Sequence, residues 1–421
     1  MAQAPERLRT LDIVRGVAVM GILAMNIVGF AMPQAAYFNP TAYGSQAPID
    51  LAAYAFNFVL IDGKMRGLFS FLFGASMLLV IQKAEAKGAN PALVHFRRQL
   101  VLLLFGALHF YLIWFGDILF GYALIGMIAW FFRNKAPRTL IVWATVLILL
   151  QFAIMASLAV SVKGMADAIG QPGATPDMIR QWNEMTAFAR VPTAAELQEQ
   201  LGLILGPWAG VAHSQLTKHA FDPLIFAMMF GPETLGYMLL GMAALKSGYL
   251  TGQWSDEQYR RAAIRGFSIA IPFYLLLLWL VFSSQFSVPA LFAYSVAATV
   301  LVRPFMIAAV AATVILLTRK DGWLVGRISA AGRAAFTNYL GTSILMTGLF
   351  YGWGLGLFGS LSRAELWLVV IVMWVVMLAW SKPWLDRFHY GPFEWLWRSL
   401  ARWKVQPMRK RLPPNSAAAE A

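Results

Sequence analysis

The stretch that decides the fold is LRTLDIVRGVAVMGILAMN, residues 8–26. From Leu11 onward it is nearly all apolar, the composition of a membrane-crossing helix. Yet it keeps Asp12, Arg15 and Asn26, each costly to place in hydrocarbon. Apolar runs of about 20 residues recur along the rest of the chain. Of its 421 residues 59% are hydrophobic and 13% charged, where a soluble domain is about a quarter charged. The pattern predicts an all-α, polytopic integral membrane protein. A large soluble protein with buried helices is excluded, because too little polar sequence remains to cover such a core.

Ten spans are predicted, at residues 10–31, 66–82, 98–116, 118–132, 139–160, 222–245, 262–282, 297–318, 334–354 and 364–381. Residues 51–61 (LAAYAFNFVLI) are apolar but too short to cross alone, so they are expected in the interface or as a re-entrant piece. The organisation that follows is a membrane half at 1–160 with five helices, an extracytoplasmic loop at 161–221, and a second half of five helices at 222–400. A basic, partly disordered tail at 401–421 ends in LPPNSAAAEA. Within the loop, Trp182, Met185 and Phe188 recur at three-residue spacing, and Pro192 interrupts the helical composition. That face is expected either to rest on the membrane or to cover a cavity.

The net charge of +14 is not the footprint of a nucleic-acid binder. Basic residues cluster briefly between apolar runs, on alternating segments: Lys83, Lys87, Arg97 and Arg98; Arg133, Lys135 and Arg138; Arg260, Arg261 and Arg265; then the tail from Lys382. Under the positive-inside rule this puts both termini in the cytoplasm and requires an even number of spans. Asp12 and Arg15 would spoil the apolar region of a cleaved leader, so the first helix is read as retained. The sequence contains no cysteine, which removes disulfides, thiolate metal sites and a thiol nucleophile. No P-loop, dinucleotide glycine pattern or metal-spaced histidine pair is found, so neither an ATP-driven pump nor a bound metal is expected.

The polar residues inside the spans are the candidate site. Asp12 and Arg15 are three apart on one helix face and can pair. They are read either as a local pair that orients the helix or as a cationic cytoplasmic mouth for a phosphate-bearing substrate. Asn26 lies eleven residues further on, roughly 16 Å along the axis, in the opposite half of the membrane. His109 is the one histidine of the five placed inside a predicted span, two turns from Asp117, and is the candidate for proton transfer. Glu233 beside Pro232 falls mid-span, and Arg303 beside Pro304 falls within a long apolar run. Prolines break helices, and broken helices in membranes line cavities. Arg303 reads equally as the start of the eighth helix, with Pro304 in its first turn. Asp62, Lys64 and Arg66 in DGKMRG are either an interfacial anchor or part of an outward-facing site. Asn338 completes the cavity candidates.

RTLDIVRGVAVMGILAMNIVGFAMP, LLLFGALHFYLIWFGDILFGYALIG, GRAAFTNYLGTSILMTGLFYGWGLGLFG and SKPWLDRFHYGPFEWLWRSL together resemble the YeiB-like bacterial membrane proteins, over most of residues 7–400. The resemblance implies the bacterial cytoplasmic (inner) membrane. The first helix is also similar to that of heparan-α-glucosaminide N-acetyltransferase and of the family-three membrane acyltransferases. Many family-three enzymes place a histidine where this chain has Asn26; the heparan enzyme has asparagine there and supplies a histidine from the next outer loop. This chain has no histidine between Asn26 and His95. Either His109 takes that role, or this branch does not transfer acyl groups.

The wider resemblance implies an acyltransferase. It would move an acetyl-like group from cytoplasmic acyl-CoA, held near Arg15 and Asp12, to a glycan, lipid or small-molecule acceptor near the extracytoplasmic side. His109 would be the base, and Asn26 would hold the thioester oxygen or the acceptor. Membrane lipids, and a second copy in a homodimer, are the further partners expected. The alternative is a transporter or exporter of a small organic molecule, proton-coupled through Glu233, His109 or Asp117. A membrane scaffold without turnover is the third reading.

Overall fold

The computed structural model describes residues 9–410. Helix α1 (Arg9–Ala31) leads through a short turn to α2 (Pro48–Phe56), a π-helical turn (Asn57–Ile61) and α3 (Lys64–Ala86). Then come α4 (Pro91–Leu112), α5 (Leu119–Ala129), the long α6 (Pro137–Ile169), and α7 (Pro176–Thr186), α8 (Ala194–Ile204) and α9 (Trp208–Thr217). The second half holds α10 (Asp222–Met229), α11 (Gly231–Lys246), α12 (Asp256–Ser283) and the single turn α13 (Val288–Ala290). A π-helical stretch (Leu291–Ala298) follows, then α14 (Thr299–Leu317), α15 (Trp323–Arg333), α16 (Ala335–Phe350), α17 (Arg363–Arg387) and α18 (Pro392–Arg402).

The helix starts follow from local chemistry. Proline stands in the first turn of α4 and α6, where its missing N–H costs nothing. Thr193 with Glu196, Ser255 with Gln258, and Ser362 with Glu365 form reciprocal capping boxes on α8, α12 and α17.

A helix stands at each of the ten predicted positions, but not all are of spanning length. Among the described residues seven are long and apolar enough to cross a membrane, or eight if α10 and α11, bent by 60° at their junction, are one span. The other two expected spans are short. Leu119–Phe132 has 11 α-helical residues and a three-residue tight turn, and α16 has 16. At ~1.5 Å per residue neither reaches a hydrocarbon thickness of about 30 Å. Residues 51–61 are not an isolated interfacial piece. They join α3 in one apolar helical stretch, Pro48–Ala86, broken at Asp62 and Gly63.

Burial sorts the helices. The apolar window of α1 is 83% buried, against 28% in α6, α12 and α17. Thus α1 is the axis of the bundle. The outer helices present apolar side chains such as Leu149, Leu150, Leu275 and Trp279 outward, a surface suited only to lipid. The chain is a multi-pass membrane protein. Close crossings hold the axis: a Cβ at Gly332 of α15 would collide with the Asp12 carbonyl of α1, so only glycine lets these backbones meet.

The 161–221 segment is largely helical, and Pro192 lies in the gap between α7 and α8 as expected. Its Trp182, Met185 and Phe188 pack on the core; Phe188 lies 5.4 Å from the Phe38 ring and 5.0 Å from that of Phe292. It is a seated cover on one end of the bundle. The described part of the tail is not loose: His389 N–H donates to Met408 O at 2.9 Å and Lys410 N–H to Arg387 O at 3.0 Å. The LPPNSAAAEA end lies outside the described residues.

Candidate functional site

Arg15 Nη1 donates to Asp12 Oδ1 at 3.0 Å, and its Nη2 donates to Ser76 Oγ of α3 at 2.6 Å. The pair that the i, i+3 spacing suggests therefore exists, and it also ties α1 to α3. Ser76 is twelve residues along α3 from Lys64, roughly 18 Å, so this pair marks one end of α3 and the DGKMRG turn the other.

At that other end the second polar group is built. The α10–α11 bend places Glu233 in the first turn of α11 rather than inside a straight span. Gln151 of α6 clamps the bend: its Nε2 donates to Met229 O at 3.1 Å and its Oε1 accepts from Glu233 N–H at 3.3 Å. The Glu233 carboxylate is fully buried. Its Oε2 accepts from Arg66 Nη2 at 2.8 Å. Its Oε1 accepts from Arg303 Nη1 at 2.6 Å and from Tyr237 OH at 2.7 Å. Arg303 Nη2 also donates to Thr299 Oγ1 at 2.7 Å. Glu233 and Arg303, 70 positions apart in the chain, are thus direct partners. Arg303 does not start its helix: the helical run begins at Val288, and Pro304 lies inside it.

Lys64 and Arg66 are not rim anchors. Lys64 is buried, donates to Phe58 O and sits 3.6 Å from the centroid of the Tyr274 ring. Gly63 (φ +70°) lets the chain turn there while the Arg303 guanidinium lies over it. Asp62 faces Lys64, Arg363 and Arg303. Asp62, Lys64, Arg66, Glu233, Arg303 and Arg363 thus form one cluster of charge.

A third group is smaller. His109 Nδ1 hydrogen-bonds Asp117 Oδ2 at 2.8 Å, with both side chains excluded from solvent. Asp117 Oδ1 accepts from Phe120 N–H at 2.7 Å, which fixes the carboxylate at the start of α5. A carboxylate acceptor puts the imidazole proton on Nδ1 and leaves Nε2 as the acceptor nitrogen. His109 Nε2 has no hydrogen-bond partner among the described residues. The His109 ring lies 5.2 Å from that of Tyr339. Tyr339 with Asn26, Phe30, Thr342 and Ser343 lines a cavity of about 10 Å³ between α1 and α16, roughly one water. His109 and Asn26 therefore share Tyr339 as a wall.

Asn338 is not at either group. Its Nδ2 donates to Ala331 O at 3.0 Å, and its Oδ1 accepts from Trp380 Nε1 at 2.9 Å. It joins α15, α16 and α17. His95 also falls within a span, because α4 begins at Pro91; its Nε2 pairs with Gly126 O at 3.1 Å. Sequence reasoning missed Tyr237, Gln151, Tyr274 and Arg363. Tyr237, four residues after Glu233, had a visible signal in helical spacing; the others come from distant elements. It also missed Glu394, which accepts from Phe336 N–H at 2.7 Å and Thr337 Oγ1 at 2.5 Å and so caps α16.

Fold and interior together define a multi-pass helical membrane protein with polar groups enclosed in its bundle. Residues 244–404 match a family model described as a protein of unknown function, DUF418. The chain is 32% identical over 419 residues to YxaH of Bacillus subtilis (strain 168), covering 96% of this chain and 97% of that relative. It is 31% identical over 406 residues to YeiB of Escherichia coli (strain K12), covering 94% and 96%. The chain belongs to the YeiB-like family of membrane proteins. No solved structure matches it.

Proposed function

We propose that this protein is a membrane-embedded acyltransferase of the bacterial cytoplasmic membrane, with both termini cytoplasmic and the 161–221 cover outside. The observation that carries this reading is the buried His109–Asp117 dyad with an unpartnered Nε2. A histidine oriented by a carboxylate and free at its other nitrogen is the arrangement of a general base. In the step, an acceptor hydroxyl or amine attacks the thioester carbonyl of acyl-CoA while Nε2 takes its proton. Collapse breaks the C–S bond, and the proton passes from Nε2 to the departing thiolate. Asp117 stabilises the imidazolium in between. Asn26 holds the thioester oxygen or the acceptor. Arg15 attracts the phosphates at the other end of α1, so the acyl-bearing arm spans roughly 16 Å. The cavity beside Asn26 admits about one water, so α1 and α16 must part for substrate to enter.

Binding and consumption of acyl-CoA by detergent-purified protein test this directly. Slow turnover without acceptor is expected, and His109→Ala is expected to lower it by ~10²-fold or more while binding persists. A folded wild type that binds no acyl-CoA at millimolar concentration sinks the enzyme reading. The 60° break before Glu233 favours a second reading, transport of a small organic molecule, since broken helices recur at transporter sites. Flux in sealed vesicles without acyl-CoA binding would select it.

A further inference from the structure

We propose that the charged cluster at the DGKMRG turn is a binding site for a small oxyanion, a carboxylate or phosphate group on a dissolved solute. The proposal stands apart from acyl transfer and rests on three observations.

The first is charge. Lys64, Arg66, Arg303 and Arg363 converge there against three carboxylates, Asp62, Glu233 and Asp50, the last interacting with Arg363. One positive charge is left without a counter-charge in a buried setting, where an uncompensated ion is costly. An anion completes the set.

The second is donors without acceptors. Tyr274 is fully buried, and its OH meets the Arg303 guanidinium, itself a donor, so the hydroxyl proton has no acceptor among the described residues; Arg363 Nε likewise has none. Glu233 takes one N–H from each of Arg66 and Arg303, so the two guanidiniums are held in place rather than cancelled. Held forks of this kind suit planar or tetrahedral oxyanions.

The third is backbone. Irregular turns occur where the chain meets the cluster: the π-helical turn Asn57–Ile61 just before Asp62, the π-helical stretch Leu291–Ala298 just before Thr299 and Arg303, and the break before Glu233. Such irregularities cluster at functional sites, and within membranes they are tolerated where they are buried in protein or line a cavity. Phe188 of the 161–221 cover sits on Phe292 of the second π-helical stretch, so the cover closes this end.

The test is thermal unfolding of the full chain in detergent, titrated with inorganic phosphate and, separately, sodium acetate, each against sodium chloride at equal ionic strength. A saturable rise in Tm with phosphate or acetate and none with chloride is expected. Tyr274→Phe removes only the hydroxyl beside Arg303 and should raise the half-saturating concentration about 3-fold or more. Lys64→Met keeps the stem and removes the charge, and should raise it ~10-fold or more. Arg387→Ala, at the exposed cleft between α15 and α17, should change nothing. A wild type without a saturable response overturns the proposal. So does an unchanged midpoint in Tyr274→Phe, which decides alone if Lys64→Met does not fold. Loss of the response in Arg387→Ala would move the site to the surface cleft, and stabilisation by phosphatidylglycerol without any response to phosphate or acetate would make it a lipid site; either result overturns the assignment.

Discussion

Two buried carboxylates, Glu233 and Asp117, stand in the same bundle and do different work. Both Glu233 oxygens are taken by strong donors, Arg66, Arg303 and Tyr237. Asp117 has one oxygen on its own helix start and one on His109. Glu233 ends in partners whose positions it fixes. Asp117 ends in an imidazole whose second nitrogen is unoccupied. A saturated carboxylate positions its donors, whereas a carboxylate–imidazole chain that stops at an open acceptor atom has a base left to offer a substrate.

The sharpest way to break this comparison is to remove each carboxylate. Glu233→Leu strands two guanidiniums in the interior and should cost ~3–5 kcal/mol, read as loss of folded protein in detergent by size-exclusion and thermal melts. Replacing Arg66 and Arg303 by Met in the same chain should recover part of that loss, because no buried charge is then left alone. Asp117→Asn keeps shape and strands no ion. Its cost should be about 1–3 kcal/mol, with a normal elution profile and a loss of acyl-CoA turnover as large as that of His109→Ala. If Asp117→Asn unfolds the protein as readily as Glu233→Leu, the distinction between positioning and reactive carboxylates fails.

Asp12 and Arg15 give an intermediate case, since the Arg15 side chain is 22% exposed. Single truncations there should harm the melting temperature more than the double replacement, by a smaller margin than at Glu233. Equal effects of single and double changes would show that Arg15 acts through Ser76 instead.

The solvent-facing reference is Glu196 in the cover. Its hydrogen bond from Arg190 and the backbone N–H of Thr193 hold its carboxyl down to about 2. A carboxyl lowered on folding stabilises above its unfolded value, near 4.3, and loses that contribution as pH falls through about 2. The protection of backbone amides across 193–204, with the intrinsic pH dependence of exchange divided out, should therefore fall between pH 4.5 and 2, and Glu196→Gln should flatten that dependence. The effect should be the smallest of the four, because exposed pairs contribute little.

Membrane class, the helical nature of every predicted span and the Asp12–Arg15 pair were all readable along the chain. Each depends on composition or on spacing within one helix, and these survive without knowledge of neighbours. The local signal also marked Pro232 as a break, since proline disrupts a helix whatever surrounds it. Tertiary structure alone decided the rest. Residues 167 and 70 positions from Glu233 supply its guanidiniums, and a glutamine 82 positions away clamps its bend. Apolar runs such as Leu119–Phe132 look like full crossings in sequence, but how many of their residues form one continuous helix is set by the turns at either end, so seven or eight helices among the described residues reach spanning length. Whether Lys64 was an anchor or a buried cation was likewise invisible, because the answer lies in the Tyr274 ring of α12. A sequence fixes which groups are too costly to bury alone; only packing decides which partners, brought from far along the chain, make burying them possible.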